Sequence, residues 1–270
     1  HMPSLARSMG QAGYHSVYHY PCAMTNMGKR DYLTNIGFQE LMDNTVYSAE
    51  EINSTWGAND STSAMKTFHR IEQKDSAEHL FMVYQTVSSH EPWVVPYNRL
   101  QDEKLNAFAY TDYSVGLLID SLKTLPQWDN LLVIMIPDHG YLYKQSYEDP
   151  EFFHSPMLWL GGAIRQPRRM QVLMNQSDLA ATLLSQLGIS HRDYPWSRNV
   201  LSRNYTYPFA YCCFPAGIMW KDHTGETLFD ITANSLVTDH HAGGEERLRK
   251  AQSVLQTGYD WYSEQMHTFR

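Results

Sequence analysis

The ten residues LLVIMIPDHG, positions 131–140, decide how the chain is read. Six apolar residues, long enough for a buried strand and too short for a helix, stop abruptly at Pro137, Asp138, His139 and Gly140. The pattern predicts a central strand with a polar tip. Ligands of open α/β sheets sit at the carboxyl ends of strands, where exit loops can be polar without disturbing the core. Asp138 and His139 are adjacent there and offer a carboxylate oxygen and an imidazole nitrogen to one centre, a pairing that suits a divalent metal.

A second apolar run, HLFMVYQTV at 79–87, also ends in a polar tip, SSHEPW at 88–93. Between the two, Leu105, Phe108, Ala109, Val115, Leu118, Ile119 and Leu122 recur at helical spacing. They predict a crossover helix that returns the first strand parallel to the second. Upstream, a helix over 3–9, a strand over 14–20, a short helix over 31–35 and an extended piece over 38–41 follow in turn. Asp60, after the turn WGAND, is expected to cap a helix running to about Glu72. Downstream, Met157 to Leu160 read as a strand, and 177–188 as an amphipathic helix capped by Ser177 and stopped by Gly188. From Tyr207 the texture changes to short alternating segments at 209–214, 217–221 and 226–231, with a turn at 223–225. These predict a small antiparallel sheet, closed by a helix over 245–262.

Of the 270 residues, 43% are hydrophobic and 19% charged, which excludes disorder and allows one substantial core. A net charge of −8 excludes binding to nucleic acid through bulk electrostatics. Three cysteines, two of them neighbours, make no disulfide framework, and no apolar run approaches the ~20 residues of a membrane span. His1-Met2 reads as a cloning remnant, so the native sequence is expected to enter at Pro3, inside a helix and partway along a longer protein.

Three histidines stand at strand boundaries around Asp138: His139 itself, His90 at the neighbouring tip, and His154 ahead of the 157–160 strand. Together SSHEPW (88–93), AYTDYSVG (109–116), IPDHG (136–140), HSPMLWLGG (154–162) and SDLAATLLSQLGI (177–189) resemble the sulfatase branch of the alkaline phosphatase superfamily. Within it the chain looks most like the lipoteichoic acid synthase and phosphoglycerol or phosphoethanolamine transferase group. The opening PSLARSMGQAGYHSVYHY, the WGAND turn and the late AQSVLQTGYDWY extend the likeness over almost the whole chain.

The resemblance implies an α/β fold, alkaline phosphatase-like and doubly wound, with a mostly parallel sheet flanked by helices. It divides the chain into a partial α/β domain at 3–204 and, packed as part of it, an antiparallel sheet plus helix at 205–270. Asp138 and His139 match the family's paired metal ligands, for Zn, Mn or Mg, or for Ca in a true sulfatase. His90 matches a histidine on the substrate head group, and His154 the histidine preceding Pro in the phosphoethanolamine transferases. Lys29 and Asn26 fall in a loop where relatives place substrate contacts. The acidic ligand and the Thr or Ser nucleophile of the family are expected upstream of Pro3, leaving this piece inactive alone and weak in metal binding. Cys22 to Thr25 echo the sulfatase formylglycine signature, but the Pro and Arg that should follow the Cys are missing, so neither is assigned as nucleophile.

The implied function is transfer or hydrolysis of a phospho- or sulfo-ester on a phospholipid head group or a sulfated or phosphorylated envelope glycan. The place is the exported side of a membrane, reached through N-terminal spans that relatives carry, with no nucleic-acid partner. Two competing readings are a true sulfatase and a non-catalytic binding module that has lost its nucleophile.

Overall fold

A computed structural model describes residues 2–25, 28–141, 143, 149–240 and 243–268. Its contacts gather into two compact units, His1–Leu131 with Gly161–Ala163, and Leu132–Leu160 with Ile164–Arg270.

In the first unit, helix α1 (Leu5–Gln11) is started by Ser4, whose hydroxyl accepts from the Arg7 amide. Strand β1 (Tyr14–His19), helix α2 (Lys29–Asn35), strand β2 (Glu40–Met42), helix α3 (Asp60–Glu72), strand β3 (His79–Tyr84) and helix α4 (Glu103–Leu122) follow. The three strands form a parallel sheet in the order β2-β1-β3, with Val17 opposite both Glu40 and Met82. Ala6, Met24, Leu33 and Phe38 pack one core cluster, to which Tyr18, Phe81 and Val83 add from the sheet. Helix α4 buries Ala107, Tyr110, Ser114, Leu118 and Leu122, a stripe of about one residue per turn. It is rotated from the most apolar positions, since Leu105 is exposed.

The WGAND turn is locked to the exit of β1. Gly57 has φ +95°, and a Cβ there would stand 2.0 Å from the Pro21 carbonyl oxygen, so no other residue fits. Helix α3 is capped by Asn59, which accepts from the Thr62 amide, and not by Asp60 as the sequence suggests. Asp60 is the first helical residue, and its fully buried carboxylate turns to another segment.

In the second unit, β4 (Val133–Met135) pairs antiparallel with β5 (Leu158–Leu160). Strand β3 thus has its hydrogen-bonded partner, β1, in the first unit, and β4 has its own, β5, in the second. Helix α5 (Asp178–Gln186) lacks the expected side-chain cap: the Ser177 hydroxyl bonds the Trp196 carbonyl instead. A four-stranded antiparallel meander follows, β6 (Phe209–Phe214), β7 (Gly217–Asp222), β8 (Gly225–Asp230) and β9 (Ser235–His240), and α6 (Gly244–Thr268) closes the chain. Strand β9 is one more than the sequence reading allowed. Ile218, Trp220, Phe229 and Ala251 form the core between meander and helix. Arg247, wholly buried, fastens the helix by donating to Thr224, Thr227 and Asp239.

Candidate functional site

The first unit presents His90 on a turn that is held from beneath. As the chain leaves β3, the amides of Val87 and Ser88 donate to one oxygen of Asp60, at 2.8 and 3.1 Å. The Thr111 hydroxyl donates to the other oxygen at 2.7 Å, and the Asp60 amide returns a bond to the Ser88 hydroxyl at 2.9 Å. A buried carboxylate satisfied by three donors is a rigid fixture, because each donor would be orphaned without it. Two residues further on, the His90 ring is exposed, with Trp56 at 4.7 Å between centroids and Trp93 at 6.5 Å. Trp93 adopts φ +65°, a left-handed backbone that costs a bulky residue about 1–2 kcal/mol. Burial of its indole, which also meets Phe108 edge-on, offsets that cost.

Lys29 opens α2 with its ammonium 3.3 Å from the centre of the Tyr20 ring and 2.7 Å from the Gln85 side-chain oxygen. Tyr18 donates to that same oxygen at 2.8 Å, so two tyrosines and an amide frame the cation. Burial, reinforced by Cys22, pushes the Tyr20 phenol up to about 12, and it stays neutral beside the lysine. Asn26 lies outside the described residues.

His19, at the end of β1, carries no sequence signal of its own. It is fully buried, with Thr67 at 2.7 Å from one nitrogen, Tyr47 at 2.5 Å from the other, and the Tyr84 ring stacked at 5.2 Å. Burial first, and the Lys66 charge second, bring its pKa down from 6.5 to about 4.

The second unit presents Asp138 and His139 just past β4, and both side chains are exposed, at 76% and 70%. The His139 amide donates to Asp138 at 3.0 Å. The Nδ1 of His139 lies 2.8 Å from the Gly140 carbonyl, which can only accept, so Nδ1 carries a proton and Nε2 is the ring nitrogen that faces away from that bond. Nε2 stands 3.8 Å from an Asp138 oxygen. Two donors sharing a tetrahedral metal with bonds of about 2.1 Å would be about 3.4 Å apart, so the pair fits one ion with little movement. Among the described residues no group of three or more His, Cys, Asp or Glu converges on a metal position, so the pair is two ligands and not a full set.

The tip is braced on both sides within its own unit. The Gln176 side chain donates through Nε2 to the Pro137 carbonyl at 2.5 Å. A Cβ on Gly140 would stand 2.4 Å from the Phe152 carbonyl oxygen, so the single-turn 3-10 helix Pro150–Phe153 packs directly on it. His154 follows that turn, largely exposed, with Nδ1 3.3 Å from Glu151. Two residues after Gln176, Asp178 is a second buried carboxylate at a helix start, bonded to Asn175 and Arg198 and not to the tip. It is the first residue of α5, fully buried, and accepts from the Asn175 amide at 2.8 Å and from the Arg198 amide and guanidinium at 2.8, 3.0 and 2.5 Å.

A family model described as Sulfatase matches residues 1–189. The chain belongs to the sulfatase family. That agrees with the motifs, and the surrounding fold agrees with solved structures. A protein in the alkaline phosphatase superfamily from Vibrio parahaemolyticus superposes with a TM-score of 0.81 at 21% identity, over 97% of this chain and 68% of that one. The lipoteichoic acid synthase LtaP from Listeria monocytogenes gives 0.76 at 16% identity, over 96% and 72%. The C-terminal periplasmic domain of EcEptC from Escherichia coli, solved in complex with Zn, gives 0.55 at 17% identity, over 84% and 71%. The first two overlaps extend past residue 189, so the fold they share takes in the meander of this sulfatase-family chain as well as the matched segment. Among the described residues no helix is long and apolar enough to cross a membrane.

Proposed function

We propose that this sulfatase-family chain is part of a metal-dependent enzyme that transfers or hydrolyses a phosphate or sulfate ester. Chemically it is most like the transferases of phosphoglycerol and phosphoethanolamine head groups, acting on envelope lipids or glycans at the exported side of a membrane. The observation that carries this reading is the exposed Asp138–His139 pair, with Nδ1 of His139 bonded to the Gly140 carbonyl and Nε2 3.8 Å from an Asp138 oxygen. Support for the phosphate ester comes from a neighbour named as a lipoteichoic acid synthase, and support for the metal and the exported side from one that is a periplasmic domain in complex with Zn.

Asp138 and His139 would hold a divalent metal, Zn, Mn or Mg, which when bound acidifies an attacking hydroxyl and neutralises charge on the ester oxygens. His90, Lys29 and Asn26 in the first unit, and His154 in the second, are each proposed as a substrate contact. Lys29 supplies positive charge for a phosphate or sulfate oxygen. His90 and His154, both exposed imidazoles, can each donate to or accept from an ester oxygen. No residue described here is assigned as the nucleophile.

Calorimetric titration of Zn and Mn tests the ligand pair without reference to turnover. Two donors predict weak binding that Asp138→Ala abolishes; undiminished binding in that variant refutes the assignment. Aryl phosphodiester and aryl sulfate hydrolysis by the longest form of the protein then discriminates between the two esters.

A further inference from the structure

One exposed stretch of the second unit gathers positive charge that the fold does not use. Residues 164–171 read IRQPRRMQ, and from 152 to 177 the chain carries no Asp or Glu, although it has 29 of them in all and a net charge of −8. Arg165, Arg168 and Arg169 are exposed. Among the described residues none of the three makes an ion pair or a side-chain hydrogen bond, whereas Arg30, Arg70, Arg198 and Arg247 are each matched to a carboxylate. A guanidinium stays protonated at any physiological pH, so three full charges face solvent close together along the chain.

Met170, next to Arg169, is 48% exposed. Pro167 lies among the arginines, and the stretch belongs to neither helix nor strand. Beyond it the chain is fastened again. The Tyr205 hydroxyl donates to the Leu173 carbonyl at 2.6 Å, the Asn175 amide to Asp178 at 2.8 Å, and Gln176 braces Pro137 beside Asp138. The charged stretch is thus rooted in a fixed segment of the unit that carries the Asp138 tip.

Unmatched charge of one sign fits an anionic partner, and the exposed thioether decides which kind. A soluble polyanion gains nothing from an apolar side chain among the cations. A bilayer takes guanidinium groups at its phosphates and an apolar group beneath them. The rest of the chain is acidic and repelled by an anionic surface, so contact is confined to this stretch and orients the unit. We propose that residues 164–171 dock the chain on an anionic phospholipid surface. The proposal takes from the head-group transferase reading only the nearness of a membrane; docking requires neither metal nor turnover.

The test is co-sedimentation of the chain with phosphatidylcholine vesicles that contain or lack phosphatidylglycerol, in EDTA and about 0.1 M salt, where charges act over about 10 Å. Expected is partition onto the anionic vesicles alone. An arginine near such a surface contributes about fivefold, so Arg165→Gln, Arg168→Gln and Arg169→Gln together should lower partition roughly 100-fold. That triple variant should melt with the parent, because the three side chains are exposed. Arg192→Gln with Arg249→Gln, at two exposed positions elsewhere in the unit, should leave partition near the parent's value. Met170→Ser should weaken vesicle binding and leave retention on heparin unchanged. No partition onto phosphatidylglycerol vesicles, or an equal loss in the Arg192 and Arg249 pair, overturns the proposal. So does Met170→Ser without effect on vesicles, which would make a soluble polyanion the partner. Because metal is excluded, failure here leaves the Asp138 titration untouched, and failure there leaves this one untouched.

Discussion

The turn that carries His90 and the tip that carries Asp138 and His139 are built on opposite principles. The first is suspended from a buried carboxylate, with Asp60 taking two successive amides and a hydroxyl. The second is braced through backbone carbonyls, Pro137 by Gln176 and Gly140 against Phe152, while its own carboxylate and imidazole stay in solvent. Side chains that organise a fold are therefore distinct from those available for chemistry. Asp60 and Asp138 are the same residue type, yet one is buried with both oxygens bonded to other segments, and the other is exposed with a single bond, from the next amide.

That contrast is broken most severely at Asp60. Asp60→Ala orphans the Val87 and Ser88 amides and the Thr111 hydroxyl, and should cost about 3–5 kcal/mol in urea unfolding. A loss below about 1 kcal/mol would mean the turn does not depend on it.

Next in size is the pH dependence from His19. Its folded pKa of about 4 lies below the ordinary 6.5, so the unfolded chain binds the extra proton between those values. Stability from this group is complete above about 6.5 and falls as pH drops towards 4, by on the order of 3 kcal/mol. His19→Gln should flatten unfolding midpoints over that window, and an unaltered profile would contradict the burial.

The second unit's tip gives a smaller effect. Gly140→Ala forces its methyl against the Phe152 carbonyl, and an expected loss of about 2 kcal/mol should appear as a lower melting temperature. Smallest of all is Asp138→Ala, within about 0.5 kcal/mol of the parent in the same assay, because the side chain is exposed. If Asp138→Ala instead destabilised as much as Asp60→Ala, the division between structural and chemical carboxylates would fail.

Much of this was legible in the chain. Strands ending in SSHEPW and PDHG, the intervening helix and the change of texture after Tyr207 all appear where periodicity puts them, since burial of one face imposes its period on the residues. Helix caps were read one residue off at α3 and unfilled at α5, and for one reason. Asp60 and Ser177 are good local caps, but Val87, Ser88 and Thr111, and the Trp196 carbonyl, claim them from more than 15 positions away. Strand β9 was missed because Ser235 to Asp239 is largely exposed and shows no alternating apolar face.

By itself the sequence determined the order of elements, the sulfatase-family motifs and the adjacency of Asp138 and His139, because all of these depend on neighbours along the chain. Only the tertiary structure decided that β4 runs antiparallel to β5, that Trp56 stands against His90, 34 positions away, and that Asp60 lies beneath the turn carrying it. Such pairings are set by which surfaces lose water together and which buried donors find an acceptor, and neither is written in local spacing.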